Sequence, residues 1–308
     1  MASPPSSPIR ISSAAMFTEV SSEDFLAFEF GGRAYKEQLA AAVGKTGDTA
    51  GVRCEERTLG GSMRVMWCKH NFGFLGGSLG CAEGERISLA FEHATAARLP
   101  VVVECMTGGA RMQEGVLSLM QMAKVSVAVE AHRAHGLPFV SVLRDPTFGG
   151  VSASYAMQAD VKIALGQARI GFAGPEVILN TMFEHDQAAY DAACPDRFQS
   201  AEYLQQNGGV DIVVPKAEGA DADAADAAAL QAKVRQVLEL LCGVEGGTAA
   251  TTGASADAVP VPPPPPPSEA EVEAAAAPDY TRARHMARPQ AQDLLARAFD
   301  EFAELRGD

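Results

Sequence analysis

Along residues 25–243 the hydrophobic pattern switches repeatedly between short apolar runs and helix-spaced segments, and this alternation constrains the fold more than any other feature. Val101–Cys105 (VVVEC) and Phe139–Leu143 (FVSVL) are continuous apolar runs, the pattern of strands covered on both faces. Arg64–Cys68 (RVMWC) also reads as a strand. Residues 82–97 place Ile87, Ala90, Phe91 and Ala94 on one helical face, and residues 115–135 form a second helix rich in Leu, Met and Ala. Further on, a short helix at 151–158, strands near 161–165 and 169–173, and helices from Pro175 and over 200–206 are expected. A strand at 210–214 and a long helix at about 224–242 follow. Strands alternating with helices of this length build βαβ units with right-handed crossovers. The fold class is therefore α/β, and ligands are expected in the turns that follow strands.

The 308 residues are 47% hydrophobic, enough to bury a substantial core. The net charge is -14, a surface that repels nucleic acid, and no apolar run approaches the roughly 20 residues of a bilayer span. Cysteines at 54, 68, 81, 105, 194 and 242 include no C-x-x-C pair, so no zinc ribbon is expected and the thiols read as free, buried core residues. Residues 1–24 read as a disordered polar tail, whose first 16 residues, with five Ser, one Arg and no acid, are also compatible with a transit peptide. Residues 244–277, with Pro at 262–267, form a Pro/Ala-rich linker, and 278–308 a further helical segment.

Two turns carry the chemistry. Met106-Thr-Gly-Gly-Ala-Arg111 follows the 101–105 strand, and Asp145-Pro-Thr-Phe-Gly-Gly150 follows the 139–143 strand. Each opens onto a helix, where glycines admit close backbone approach and N–H groups start unpaired. Gly149 with Gly150, and Gly109 with Ala110, are the candidate oxyanion donors. A third stretch, Phe74-Leu-Gly-Gly-Ser-Leu-Gly80, offers Gly76, Gly77 and Ser78 to a phosphate or pantetheine arm, or else packs helix on sheet. Gly108 and Arg111 complete the candidate binding set. Arg111 is either a local cation for a polyanionic ligand or, with Gln113 and Glu114, a lock on its turn. His93, His132 and His135 are expected on the surface, and Met112, Met120 and Met122 in the core.

The run GGARMQEGVLSLMQMAKVSVAV (108–129) closely resembles the signature of the carboxyltransferase β subunits of acetyl-CoA carboxylase. Segments 32–47, 72–87, 146–164, 170–178 and 198–214 resemble the same family in order and spacing, and 280–308 resembles the opening of the partner α subunit, as in a β–α fusion. The resemblance implies a crotonase-like superhelix of stacked βαβ units. It also implies an acyl-CoA substrate, with carboxybiotin presented on a biotin carboxyl carrier protein. The implied partners are an α-type half, the carrier protein and biotin carboxylase, in a homo-oligomer of β–α pairs. The compartment it implies is the cytoplasm, or alternatively the plastid stroma.

Three departures keep alternatives open: there is no zinc ribbon, Phe148 stands where Thr is common, and Glu176 where a basic residue is usual. The alternatives are a malonate decarboxylase β subunit, another acyl-CoA carboxylase β subunit, or a non-catalytic scaffold paralogue.

Overall fold

The computed structural model describes residues 17–195 and 197–242. These fall into two compact units, 17–175 with 197–242, and 176–195. The 244–277 linker and the 278–308 segment lie outside the described residues, as do residues 1–16 of the expected tail.

The larger unit opens with a two-stranded hairpin, β1 (Glu29–Phe30) and β2 (Arg33–Ala34), and helix α1 (Tyr35–Thr46). Strands β3 (Val52–Leu59) and β4 (Met63–His70) follow, then helix α2 (Cys81–Ala96), β5 (Val101–Thr107), helix α3 (Val116–Ala134) and β6 (Phe139–Phe148). A four-residue helix α4 (Gly149–Ser152) leads to β7 (Val161–Leu165) and β8 (Ile170–Gly171). Helices α5 (Pro175–Met182) and α6 (Gln187–Ala193) belong almost wholly to the smaller unit. The chain then returns through α7 (Ala201–Gln206), β9 (Ile212–Val214) and α8 (Ala222–Leu241).

The seven-stranded sheet runs β3-β4-β5-β6-β7-β9, with β8 beside β6. Only the β3–β4 pair is antiparallel, and every later pairing is parallel. The period-2 alternation of β5 explains why its apolar run is continuous. Val101, Val103 and Cys105 enter one core with Ile87, Ala90, Phe91 and Ala94 of α2 and Val125 and Val129 of α3. Val102 enters the other core, where α8 contributes Leu230, Val234, Val237 and Leu238 at helical spacing. Phe91 meets Phe139 edge-to-face at 5.1 Å, tying α2 to the sheet.

Several expectations need correction. The tail does not extend to residue 24: Phe17 is buried, and the Ser22 N–H donates to the Thr49 carbonyl at 2.9 Å. Strand β6 continues to Phe148, because Thr147 pairs with Thr107 on one side and Ile170 on the other. His132 is fully buried, edge-on to Phe91 at 5.4 Å. Met112 and Met120 are exposed, and only Met122 packs against the core. Among the cysteines, which are all free, Cys54, Cys68 and Cys105 are buried, but Cys242 is exposed.

Candidate functional site

The sheet brings the two predicted turns into contact. Strands β5 and β6 are parallel neighbours, so their C-terminal ends deliver Gly108–Arg111 and Phe148–Gly150 to the same edge. A Cβ added to Gly109 would sit 3.0 Å from the Gly149 Cα, and one added to Gly149 would sit 2.9 Å from the Gly109 Cα. Both glycines have positive φ, 111° and 65°. Close approach and backbone conformation thus both exclude a side chain at either position.

Hydrogen bonding divides the four candidate donors. The Gly149 N–H donates to the Phe172 carbonyl at 2.9 Å, and the Gly109 N–H to the Thr107 hydroxyl at 3.0 Å. These two are committed within the fold and serve as the contact surface between turns, a correction to their expected role as donors. Gly150 lies in the first turn of α4, where N–H groups have no intrahelical acceptor. Among the described residues neither it nor the Ala110 N–H meets an acceptor elsewhere. The two lie on either side of the same contact: the Gly150 nitrogen is 3.4 Å from a Cβ built on Gly109, and the Ala110 nitrogen 3.8 Å from one built on Gly149.

The third glycine stretch supports the first turn from behind. The Gly108 N–H donates to the Gly76 carbonyl at 2.9 Å, and a Cβ on Gly77 would collide with the Met106 carbonyl. His70 fixes this stretch, with Nδ1 2.9 Å from the Gly77 carbonyl and Nε2 2.8 Å from the Tyr155 hydroxyl. A carbonyl only accepts, so Nδ1 carries the proton and neutral Nε2 accepts from Tyr155. Burial holds the His70 pKa below its ordinary value, against the opposing pull of the Gly77 carbonyl.

Arg111 is not a surface cation. Its side chain is fully buried. Nε donates to the Ser78 hydroxyl at 3.0 Å, and one terminal nitrogen to the Ser78 carbonyl at 2.8 Å and Glu83 at 2.7 Å. The other terminal nitrogen reaches Ser22 at 3.0 Å, and Tyr35 and Glu114 at 3.3 Å. Ser78 is likewise consumed in this network. Glu83 also accepts the N–H groups of Gly51 at 2.5 Å and Gly80 at 3.0 Å. Burial would raise its pKa, but the Arg111 charge and the backbone donors hold it below the ordinary carboxylate value. Glu114 accepts from the Tyr35 hydroxyl at 2.6 Å and the Cys81 N–H at 2.5 Å. The locking role is therefore the one that Arg111 performs, and Gln113 adds a 2.9 Å bond to Gln38.

Sequence reasoning missed Glu83, Tyr35, Ser22 and His70. Glu83 had a signal, since it is the third residue of α2 and its carboxylate reaches back to the Gly80 N–H. The others join only through tertiary contact.

Residues 30–235 match the carboxyl transferase domain family. The chain belongs to that family. Over 275 residues, 89% of the chain, it is 44% identical to the acetyl-coenzyme A carboxylase carboxyl transferase subunits beta/alpha of Salinispora tropica, of which it covers 44%. It is 44% identical over 199 residues to the acetyl-coenzyme A carboxylase carboxyl transferase subunit beta of Pelobacter propionicus, covering 65% of the chain and 66% of that protein. The chain thus spans less than half of its beta/alpha relative. Among solved structures, the transcarboxylase 12S hexamer with methylmalonyl-coenzyme A aligns with a TM-score of 0.51 and 26% identity, over 61% of this chain and 33% of that one. The α/β sheet with its parallel strands is accordingly the crotonase-like fold of the carboxyl transferases. Within this carboxyl transferase domain, Phe148 is half-buried and directly precedes Gly149, one of the two touching glycines. Glu176 is exposed in the smaller unit. No helix of the described residues is long and apolar enough to cross a membrane, and no metal-ligating cluster occurs among them.

Proposed function

We propose that this chain is the β-type half of the carboxyltransferase of a biotin-dependent acetyl-CoA carboxylase, moving carboxyl from carboxybiotin to acetyl-CoA to give malonyl-CoA for fatty acid synthesis. The observation that carries the reading is the pair of unengaged N–H groups, Ala110 and Gly150, at the contact between two glycine turns. Carboxybiotin, when bound, supplies the carboxyl group and the base that takes the acyl α-proton. What this chain contributes is stabilisation of charge. As the α-proton leaves, negative charge grows on the thioester oxygen, and two N–H donors fixed by the fold stabilise it without reorganising. The touching glycines fit that task, because any Cβ at the contact would fill the space between the donors. Arg111, Glu83 and Glu114 keep the first turn in place from below and do not meet the substrate.

The names of the relatives support the same reading and an α-type half as partner; the proposed reaction adds a biotin carboxyl carrier protein and a biotin carboxylase. These would assemble as a cytoplasmic oligomer of β–α pairs. The test is carboxyl transfer by this chain mixed with an α-type half, with and without a carboxybiotin donor. Donor-dependent malonyl-CoA formation that needs the α half is expected. A second reading, a malonate decarboxylase β subunit, rests on Glu176 in the AGPEVI segment. Loss of carbon dioxide from a malonyl thioester without any biotin derivative would replace the first reading with the second.

A further inference from the structure

Strands β3 and β4 carry two cysteines directly across from each other. Cys54 faces Cys68 in the antiparallel register, between the Arg53–Lys69 and Glu55–Trp67 pairs. Side chains of opposed residues leave a sheet on the same face, and both cysteines lie in the core that α2 covers. Cα atoms opposed in this way are roughly 4.5 or 5.5 Å apart, and either separation lies within the roughly 4.4–6.8 Å that a disulfide bridges. The two thiols share a hydrogen bond, which together with burial pushes the Cys68 thiol up. Cys105, the third thiol of that core, is placed differently. The residue beside Cys68 on β5 is Val103, so Cys105 lies two positions further on, a diagonal neighbour. Its thiol turns instead to the Val103 carbonyl at 3.8 Å. Register therefore selects one pair out of three buried thiols.

The pair is also reachable from outside. A cleft of about 310 Å³ leads to Cys54 between Phe17, Thr18, Asp48, Arg53 and Arg86. Cys68 is fully buried. The Cys54 thiol donates to the Arg86 carbonyl at 3.7 Å. Among the described residues, the Arg86 guanidinium donates to neutral acceptors: the Val20 and Val52 carbonyls at 2.8 and 2.7 Å, and the Thr49 hydroxyl at 2.6 Å. No carboxylate in contact cancels its charge, and a cysteine beside a cation is the kind that reacts with oxidants.

We propose that Cys54 and Cys68 form a reversible cross-strand disulfide when the folded protein meets hydrogen peroxide, which makes the β3–β4 hairpin a redox-modified site. The Cys54 sulfur takes a hydroxyl from the peroxide, and the other oxygen leaves as water with the Cys54 proton. The Cys68 sulfur then displaces that hydroxyl, which leaves as a second water with the Cys68 proton as the S–S bond forms. Two thiols are oxidised and one peroxide is reduced to two waters. Two residues beyond Cys68, the same strand ends in His70, which holds the Gly77 carbonyl, so the cross-link fastens the strand that supports the first glycine turn. The site uses none of the residues assigned to the reaction proposed above.

The test treats the full, folded chain with hydrogen peroxide, blocks the remaining thiols and maps disulfide-linked peptides by mass spectrometry. A Cys54–Cys68 peptide pair is expected, lighter by about 2 Da than its reduced parts and returned to two thiols by dithiothreitol. Mapping separates this pair from Cys81, Cys194 and Cys242, which are less buried. Closing a loop of this length restricts the unfolded chain, so the oxidised protein should melt roughly 5–10 °C above the reduced one. Cys54→Ala should show no such rise after peroxide treatment. The peptide map is made on the wild type, so it decides the matter even where the variant fails to fold. The proposal is overturned if Cys54 and Cys68 both stay open to alkylation, or if either pairs with another cysteine instead. A Cys54 sulfinic acid beside an unreacted Cys68 would overturn it equally.

Discussion

The two glycine turns lie against each other at the ends of parallel strands, yet they are held in opposite ways. The first, Gly108–Arg111, is fixed by buried charge: Arg111 and Glu83 are both fully inaccessible and 2.7 Å apart, with Glu114 at 3.3 Å. The second, Phe148–Gly150, is fixed by neutral bonds. The Thr147 hydroxyl lies 2.7 Å from the Arg144 carbonyl and 3.1 Å from that of Cys105, while Ser152 reaches the Gly149 and Gly171 carbonyls at 2.9 and 2.6 Å. Its nearby ion pair, Asp145–Arg169, is substantially exposed and contributes little. A buried ionic network with every partner in place specifies one geometry, but it fails badly when one member is removed. Hydroxyl-to-carbonyl bonds lose less when cut. One turn is therefore positioned rigidly and vulnerable, and the other is tolerant.

The comparison breaks first at Arg111. Arg111→Met removes the cation that ion-pairs with both Glu83 and Glu114 in the interior and should destabilise the protein by about 3–5 kcal/mol, read from chemical denaturation. Adding Glu83→Gln to it should recover part of that loss, because one of the two stranded charges is then gone. If Arg111→Met costs less than about 1 kcal/mol, the ionic lock is not what holds the first turn. Next comes a change in the second turn that should affect chemistry and not folding. A Cβ at Gly150 would lie 2.8 Å from the Met122 sulfur, the flexible end of a side chain that can give way. Gly150→Val should therefore stay folded but lose roughly 100- to 1000-fold in carboxyl transfer, about 3–4 kcal/mol, when assayed with an α-type half. Near-normal transfer by a folded variant would remove this N–H from the mechanism.

How much of this was legible before the structure differs between the same two turns. The glycines at 108–109 and 149–150 stood out because an unusual backbone demand is written in one residue type. That they would touch followed from neither turn alone: it needs β5 and β6 to be adjacent. Which N–H groups are spent depends on Phe172 and the Thr107 hydroxyl, contacts that no local pattern announces. The 82–97 helix was readable because its buried face recurs at helical spacing, and Ile87, Ala90, Phe91 and Ala94 are all buried. Strand β3 was missed because Arg53, Glu55, Glu56 and Arg57 break its alternation. It is an edge strand that pairs on one side only, so charge there is tolerated. Arg111 misled because a lone Arg in a glycine turn looks like a phosphate ligand, and only its four side-chain partners from distant segments, with Glu114, reveal a buried lock.

Two smaller effects sharpen the contrast. Thr147→Val keeps the shape of the side chain but removes the hydroxyl that the Arg144 and Cys105 carbonyls share. It should cost about 1–2 kcal/mol, less than the Arg111→Met loss. An equal loss for the two variants would mean that the turns are held alike.

The smallest effect is a slope with pH, part of which should belong to the first turn. His70 supports that turn through the Gly77 carbonyl, and burial holds its pKa below the ordinary value near 6.5. In the interval below pH 6.5 the unfolded chain therefore binds more protons than the folded one at this site. Stability is complete above about pH 6.5 and declines as the pH falls below it. Glu83, also held below its ordinary value, adds a second decline in the same direction, lower on the scale, as the pH drops past about 4.5. Burial lowers the His132 pKa as well, so both histidines contribute to the upper step; His70→Gln removes the His70 share of it and leaves the Glu83 step in place. The midpoint of urea unfolding, followed from about pH 8 down to about pH 5, should fall in the wild type and be flatter in His70→Gln. The variant will be less stable throughout, since Tyr155 loses its acceptor geometry, but its slope is the quantity of interest. Identical slopes would show that His70 is protonated alike in both states, and that acid acts on the molecule elsewhere than behind the first turn.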